Sequence, residues 1–422
     1  MKLHSRIGIL CLLFCTTCLA AEELEKPRIV VEWGQNTPDT IYLRRNIEAC
    51  ERVPINGVAT FVSWPRSETG RMAIKPIKPP AGQPESPLYI LPSGKPILDY
   101  SLGRRVIGKD RITEEQCAGA IEDLKSTNFQ QFQHMHIGVL LGNNGEPMNW
   151  FDDEHWAIIN HNIALIARTA REGGCDGIFF DPEIYAYALW TFDNLYNDAD
   201  KQPPVLRGLP EVYAGKSWQD VQAAVKRRGY EFARAIESEF PSPHLWFMMG
   251  YGWAMAGAKD DPANLPHTHY ALLPAFLDGI IEGSSDSAIL IDGNEGSYRH
   301  KTAEQFVETR RLTVEGGLKI TTVPEPLFHR KLRVGYGLWV DADQKWDPEN
   351  PRNNSFTPQE FETALRHALE IGDGYVWLWS ETADWYADGP DWKPADDAPA
   401  RPGFKYVPQA YRDAIENARK AP

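Results

Sequence analysis

The chain has 422 residues, with 58 acidic and 44 basic side chains and a formal net charge of −14. Such an acidic excess repels nucleic-acid phosphates and anionic membranes, so neither is expected as a partner. Three of the six cysteines fall within the first 20 residues, and the other three cannot build a disulfide framework. Beyond residue 20 there is no CxxC pair or HExxH motif. This argues against a structural zinc site or a zincin-type enzyme. No metal or cofactor is expected.

The N-terminus has the pattern of an export signal. Lys2 and Arg6 precede an apolar stretch, residues 7–15, that is too short to span a bilayer, and small residues follow up to Ala21. We predict a signal peptide at residues 1–20 and a secreted or periplasmic mature chain. The alternative is a lipid anchor on Cys18, but the residues before it match a lipidation motif poorly.

Short β-rich segments alternate with helical ones along the whole mature chain. Strands are predicted at residues 28–33, 56–63, 136–141, 177–180, 245–249, 288–291, 332–340 and 375–380. Helices are predicted at residues 38–52, from Thr113 onwards, and at residues 152–172, 217–239, 270–281, 302–316, 357–371 and 408–419.

This alternation is typical of the α/β class and predicts one closed (β/α)8 TIM barrel over residues 21–422. A Pro-rich segment, residues 65–110, follows the second strand and is predicted to be a loop insertion at the barrel mouth. The alternative is a doubly wound open sheet. An open sheet usually carries a Gly-rich phosphate loop after its first strand, and residues 34–38 lack one.

The predicted strands end mostly in carboxylates and tryptophans, and in a barrel these ends face the active site. Carboxylates catalyse cleavage of glycosidic bonds, and aromatic rings cover the apolar faces of sugars. A carbohydrate substrate is therefore predicted, although any single tryptophan could instead fill the core, as we expect of Trp377. The predicted binding residues are Glu32, Trp33, Trp64, Asn143, Tyr185, Tyr251, Trp253, Asp292, Trp339, Asp341, Trp379 and Glu381.

The fourth strand carries the most specific site. Alternate residues of a strand share a face, so Phe179, Asp181 and Glu183 should point inward while Phe180 packs outward. Pro182 cannot continue the hydrogen-bond ladder and should end the strand. Two carboxyl groups held close together have pKa values that move apart, which favours one general acid and one ionised partner. The alternative is that both residues have only a structural role, with Asp181 as a capping residue and Glu183 paired to an arginine.

Residues 176–183, DGIFFDPE, resemble the DGxDxDxE motif of the chitinase-like glycoside hydrolases of family 18, with Phe179 in place of the middle Asp. Residues 139–145, the segment 249–251 and Trp379 are more loosely similar to other segments of that family. The resemblance implies a barrel in which Glu183 is the general acid. It also implies that Asp181 orients an N-acetyl group of the substrate as an internal nucleophile.

Two departures leave a second mechanism open: Phe179 replaces the middle Asp, and Gly252 stands where the family has Asp. A retaining hydrolase would instead set Glu183 or Asp181 against another carboxylate about 5 Å away. Glu295 is the preferred candidate because its neighbouring glycines allow close approach of a substrate, and Glu381 is the other. The leading hypothesis is a hydrolase of poly- or oligosaccharides with Glu183 as proton donor. A non-catalytic carbohydrate-binding barrel and an enzyme of another class remain alternatives.

Overall fold

The structure is a computed structural model, which describes residues 26–64, 89–90, 96–97, 101–142, 149–183, 189–192, 215–387 and 404–420. The predicted signal peptide, Asn143, Tyr185 and most of the 65–110 insertion lie outside the described residues. Within the insertion, Tyr89–Ile90 and Pro96–Ile97 form a short antiparallel pair. Among the described helices, none is long and apolar enough to cross a membrane.

Eight parallel strands close into a barrel, each paired with the next and the last with the first. They are β1 Ile29–Glu32, β2 Gly57–Thr60, β3 His134–Leu140, β4 Gly177–Asp181, β5 His244–Phe247, β6 Ile289–Asp292, β7 Leu332–Trp339 and β8 Tyr375–Trp379. The predicted TIM barrel is confirmed, and the open-sheet alternative is wrong because β1 pairs with both β2 and β8. Each predicted strand is present, with its ends shifted by a few residues.

The barrel is surrounded by helices that connect successive strands. They are α1 Thr40–Cys50, α2 Leu102–Arg105, α3 Glu114–Ser126, α4 Asp153–Glu172, α5 Trp218–Glu239, α6 Tyr251–Gly257, α7 Leu273–Gly283, α8 Ala303–Arg311, α9 Gly317–Ile320, α10 Glu325–Lys331, α11 Pro358–Ile371 and α12 Gln409–Lys420. A π-helical turn, Leu312–Gly316, joins α8 to α9. Thr113 begins α3 with the predicted capping box. The short helices α2, α6 and α10 were not predicted, because two turns or fewer show no clear periodicity.

Strand side chains alternate between the barrel lumen and the layer beneath the helices. In β4, Phe179 belongs to the lumen cluster and Phe180 to the outer one, as predicted. The Phe179 ring centroid lies 5.1 Å from that of Trp33, 5.6 Å from Trp246 and 5.7 Å from Trp377. The residue that replaces the middle acid of the family-18 motif is therefore a packed core side chain, and so is Trp377, as expected.

We predict that Phe179→Asp, which would restore the motif's middle acid, lowers the free energy of unfolding by more than about 4 kcal/mol. The variant loses aromatic packing and places a charge among three aromatic rings. Urea denaturation measures the change, and Phe179→Leu, which keeps an apolar side chain, should lose less than about 1.5 kcal/mol. Wild-type stability in Phe179→Asp would show instead that the lumen accommodates an acid at this position.

Candidate active site

Three carboxyl groups meet at the carboxyl end of the barrel, and they are those of the three residues predicted to be catalytic. Asp181 ends β4, Glu183 follows two residues later, and Glu295 lies in the turn after β6. The Glu295 carboxyl hydrogen-bonds that of Glu183 and is also within electrostatic reach of Asp181. Asp181 is 5% exposed, Glu295 is 8% exposed and Glu183 is half-buried. We call these three residues the carboxyl cluster.

The turn after β4 fixes the relative positions of Asp181 and Glu183. The backbone N–H of Glu183 donates to Asp181 Oδ1 at 2.9 Å. The Pro182 carbonyl accepts from Trp190 Nε1 at 2.8 Å, which holds the proline peptide against the wall of the mouth. One carboxylate oxygen of Asp181 thus acts as a cap for the turn, as the structural alternative predicted. The positive charge of Arg104, on α2, also acts on Asp181.

Glu295 reaches the cluster because the chain turns sharply after β6. Asn294 adopts a left-handed conformation, with φ 45° and ψ 61°, which only glycine, asparagine and aspartate tolerate well. The Glu295 N–H donates to the Met248 carbonyl at 2.9 Å, tying the turn to the end of β5. Among the described residues, the buried Glu295 Oε2 has no hydrogen-bond partner.

Burial and mutual repulsion keep protons on the cluster near neutral pH. Burial raises the pKa of Asp181 to about 7, and the negative charge of Glu183 adds to the effect. Burial also raises the pKa of Glu295 well above its usual range, again with Glu183 and then Asp181 adding to it. Three carboxylates this close cannot all ionise together. The cluster therefore offers both a protonated and an ionised carboxyl near pH 7, as general acid catalysis requires.

Aromatic side chains lie beside the cluster. Trp253 is half-buried, and its ring would be 3.6 Å from a Cβ at Gly296, which directly follows Glu295. Trp339 and Trp379 are half-buried register partners at the ends of β7 and β8. These three predicted binding residues are therefore partly exposed, and the Arg299 guanidinium lies 5.1 Å from the centre of the Trp339 ring.

Two further residues of this region, Tyr298 and Arg104, could not be predicted from the sequence. The Tyr298 ring packs 5.5 Å from Trp339 and 5.1 Å from Trp377. Because Tyr298 lies six residues beyond β6, counting from the strand end could not place it. Arg104 belongs to the Pro-rich segment predicted to be a loop. The Ser101 cap of its short helix was the available signal, since the Ser101 side chain accepts from the Gly103 N–H.

Three other predicted binding residues lie deeper or further round the rim. Trp33 is 2% exposed and packs in the lumen, 4.8 Å from Phe61, so it belongs to the core. Trp64 is half-buried and packs on the outer core. Glu381 is half-buried, and its backbone N–H donates to the Asp341 carboxylate at 3.1 Å.

Tyr251 and Asp292, predicted to bind substrate, point into the helical layer rather than the mouth. The Tyr251 hydroxyl is buried and donates to Asp278 of α7 at 2.8 Å. The Asp292 carboxylate accepts from the N–H groups of Gly252 at 3.2 Å and Asn294 at 3.3 Å, so it caps the start of α6. The prediction missed α6, which begins at Tyr251 and turns that side chain outward. Asp292 faces outward because its neighbour Ile291 faces into the lumen.

Asp341 is also fully engaged by protein groups. Its buried carboxylate accepts from Trp339 Nε1 at 3.0 Å and from the Thr382 hydroxyl at 2.8 Å. It further accepts from the backbone N–H groups of Glu381, Thr382 and Ala383. This carboxylate fastens the loop after β8 to the end of β7 and orients the Trp339 ring.

Glu32 faces away from the lumen, because its neighbours Val31 and Trp33 face into it. Its buried carboxyl accepts from the hydroxyls of Thr37, at 3.1 and 3.0 Å, and Tyr386, at 2.9 Å. Burial is the main reason that its pKa is raised to about 8. Glu32 therefore holds the Tyr386 segment in place and is protonated at neutral pH.

Titration of Glu32 should be visible in the stability of the protein. Its pKa rises from 4.5 to about 8 on folding, so the folded state binds more protons between these values. The free energy of unfolding should consequently fall as pH rises through this window, by up to about 1.4 kcal/mol per pH unit. Glu32→Gln removes this contribution. Denaturation curves recorded from pH 4.5 to 8 should therefore show the free energy of unfolding of the variant rising relative to that of the wild type as pH increases. Parallel stability curves would contradict the assignment.

Within the part of the chain that the structure describes, no His, Cys, Asp and Glu side chains are grouped so as to hold a metal ion. The remaining predicted binding residues, Asn143 and Tyr185, lie outside the described residues.

No protein-family model matches the chain, and no curated protein is significantly similar in sequence. The family-18 resemblance therefore stays a prediction.

Several solved structures are similar over most of the chain. A broad-specificity endoglucanase of glycoside hydrolase family 5 from an uncultured bacterium is 13% identical, with a TM-score of 0.45 over 92% of this chain and 86% of its own. A family 18 chitinase from Pseudoalteromonas aurantia is 11% identical, with a TM-score of 0.35 over 92% and 99%. A 3-keto-D-glucoside 4-epimerase from E. coli is 13% identical, with a TM-score of 0.31 over 94% and 100%. These similarities concern the barrel fold and do not distinguish hydrolases from epimerases.

Proposed function

We propose that this protein is an exported glycoside hydrolase that cleaves a poly- or oligosaccharide at the carboxyl cluster. The observation that carries the proposal is the hydrogen bond between the carboxyl groups of Glu183 and Glu295, with Asp181 beside them. Carboxyl pairs of this kind catalyse glycoside cleavage, and the half-buried tryptophans at the mouth suit the apolar faces of sugar rings. Export rests on the sequence of residues 1–20 alone.

The cluster supports a retaining mechanism. Hydrogen-bonded carboxyls titrate as a pair, so the pair supplies one acid and one carboxylate at neutral pH. Burial favours the proton on Glu295 in the free protein, so in our proposal the shared proton passes to Glu183 as the substrate enters. Glu183 then protonates the glycosidic oxygen as the bond to the leaving group breaks. The Glu295 carboxylate attacks the anomeric carbon, and water then releases the sugar with Glu183 acting as base. A substrate that enters between the two carboxyls would replace their hydrogen bond.

Asp181 supplies negative charge next to the reacting bond and fixes the turn that carries Glu183. The substrate-assisted route of family 18 receives less support, because Phe179 lies in the core and Tyr251 in the helical layer. Neither residue can assist Asp181 in orienting an N-acetyl group. We therefore propose Glu295 rather than an internal nucleophile.

A panel of natural glycans identifies the substrate, and Glu183→Gln then tests the mechanism. We expect the hydrolysis rate of the best glycan to fall roughly 10²- to 10⁴-fold, because a carboxamide cannot donate the proton. The melting temperature should be preserved. Glu325→Gln, the same change at an exposed position on α10, is the matched control and should keep full activity.

The leaving group separates the two carboxyl roles. An aryl glycoside with a good leaving group needs no proton, so Glu183→Gln should still accumulate the glycosyl-enzyme, whereas Glu295→Gln should not react. The reverse pattern would exchange the roles of the two residues. Full activity in Glu183→Gln would sink the assignment, and tight glycan binding by a wild type that cleaves nothing would favour the carbohydrate-binding alternative.

A further inference from the structure

The position of Glu295 depends on the residue before it. Five non-glycine residues of the described chain have positive φ angles, and Asn294 is the buried one among them. A left-handed residue costs conformational energy, so its surroundings must hold it in place. Because the backbone of Asn294 redirects the chain after β6, its conformation decides whether the Glu295 carboxyl reaches Glu183.

The side chain of Asn294 is fixed at both ends. Nδ2 donates to the carbonyl oxygens of Asp292 and Gly335, each at 3.0 Å. Because both of these partners are acceptors, the amide atom that faces them must be the nitrogen. The amide oxygen, Oδ1, therefore lies on the opposite side of the Asn294 side chain. There, Oδ1 accepts from the hydroxyl of Thr313 at 2.8 Å.

Thr313 lies in the π-helical turn Leu312–Gly316, where the N–H of Gly317 reaches back five residues to the Leu312 carbonyl. Single π turns are rare and occur often near functional sites. The Thr313 side chain is completely buried, although it belongs to a helix on the outside of the barrel. Its hydroxyl is also 2.9 Å from the Thr309 carbonyl, the usual acceptor for a helical threonine.

Gly252 makes this contact possible. A Cβ at position 252 would lie 2.4 Å from Thr313 Oγ1 and 2.5 Å from Asn294 Oδ1, closer than any side chain permits. The absence of a side chain at the start of α6 therefore leaves the space in which the hydroxyl and the amide meet. Gly252 is one of the two positions at which the chain departs from the family-18 pattern.

We propose that Thr313 is a positioning residue, which holds Asn294 in its left-handed conformation and thereby delivers Glu295 to Glu183. Thr313 itself does not touch the carboxyl cluster. It acts from the outer helical layer through one hydrogen bond to the residue that precedes Glu295. The role in catalysis rests on the proposed function, whereas the placement of Glu295 does not.

The test compares Thr313→Val with Thr313→Ser. Valine keeps the shape but loses the hydroxyl, so we expect kcat to fall about tenfold with KM unchanged. The alkaline limb of the pH–rate profile should move to lower pH, because separating Glu295 from Glu183 removes part of the repulsion that keeps the shared proton on the pair. Serine keeps the donor and should restore both properties to near the wild-type values.

Thr321→Val is the matched control. It removes a threonine hydroxyl that donates to Asp278 at 2.6 Å in the helical layer, away from the cluster. Its kcat and pH–rate profile should stay those of the wild type, even if its melting temperature falls as much as that of Thr313→Val. An equal loss of kcat in Thr321→Val would show that general destabilisation, and not positioning, explains the effect, and would overturn the proposal.

A measurement that needs no substrate separates this proposal from the proposed function. In protein labelled with ¹³C at glutamate carboxyls, one resonance that is lost in Glu295→Gln should titrate well above the usual range. In Thr313→Val the same resonance should titrate at lower pH, and in Thr313→Ser at the wild-type pH. An unchanged titration in Thr313→Val overturns the proposal whether or not the protein cleaves glycans. A shifted titration in a protein that cleaves nothing supports the positioning role and rejects the hydrolase.

Discussion

Closure of the barrel fixes which of the two alternating faces of every strand lines the lumen, and this choice decides where each polar residue at the strand ends lies. A residue in step with the lumen side chains, such as Asp181, is carried to the mouth. A residue one position out of step, such as Glu32 or Asp292, is carried beneath the helices, where protein donors engage it. Because the barrel has no free edge, no strand can shift its register to exchange the two faces.

The same closure explains why the carboxyl cluster is costly. Asp181 and Glu295 are more than nine-tenths buried, and the wall next to them is largely aromatic. Water cannot screen their charges there, so the carboxyls keep protons that a surface acid would release. Arg104 offsets part of the negative charge. An ordinary core would avoid this arrangement, which is the reason for regarding the cluster as a functional site.

The long periodic helices and strands could be recognised in the sequence, and they predicted the barrel. The alternation of faces along β4 predicted that Asp181 points inward. The mid-strand position of Trp377 predicted that it lies in the core. The sequence could not show that α6 begins four residues after β5 ends, and this short helix moved Tyr251 out of the mouth. Glu295 was found through its neighbouring glycines, but the left-handed turn that directs it depends on contacts from distant elements. Counting from strand ends fails wherever a connection folds back on the barrel.

The π turn between α8 and α9 also restricts how the length of the chain can change. Each residue of an α-helix turns the chain by about 100°. Loss of one residue from this segment would convert the wide turn into a regular one, and would rotate Gly316 and Gly317 away from Met255 and Tyr251. Gain or loss of a single codon there would therefore be harder to tolerate than most substitutions. In this segment the number of residues is constrained as well as their identity.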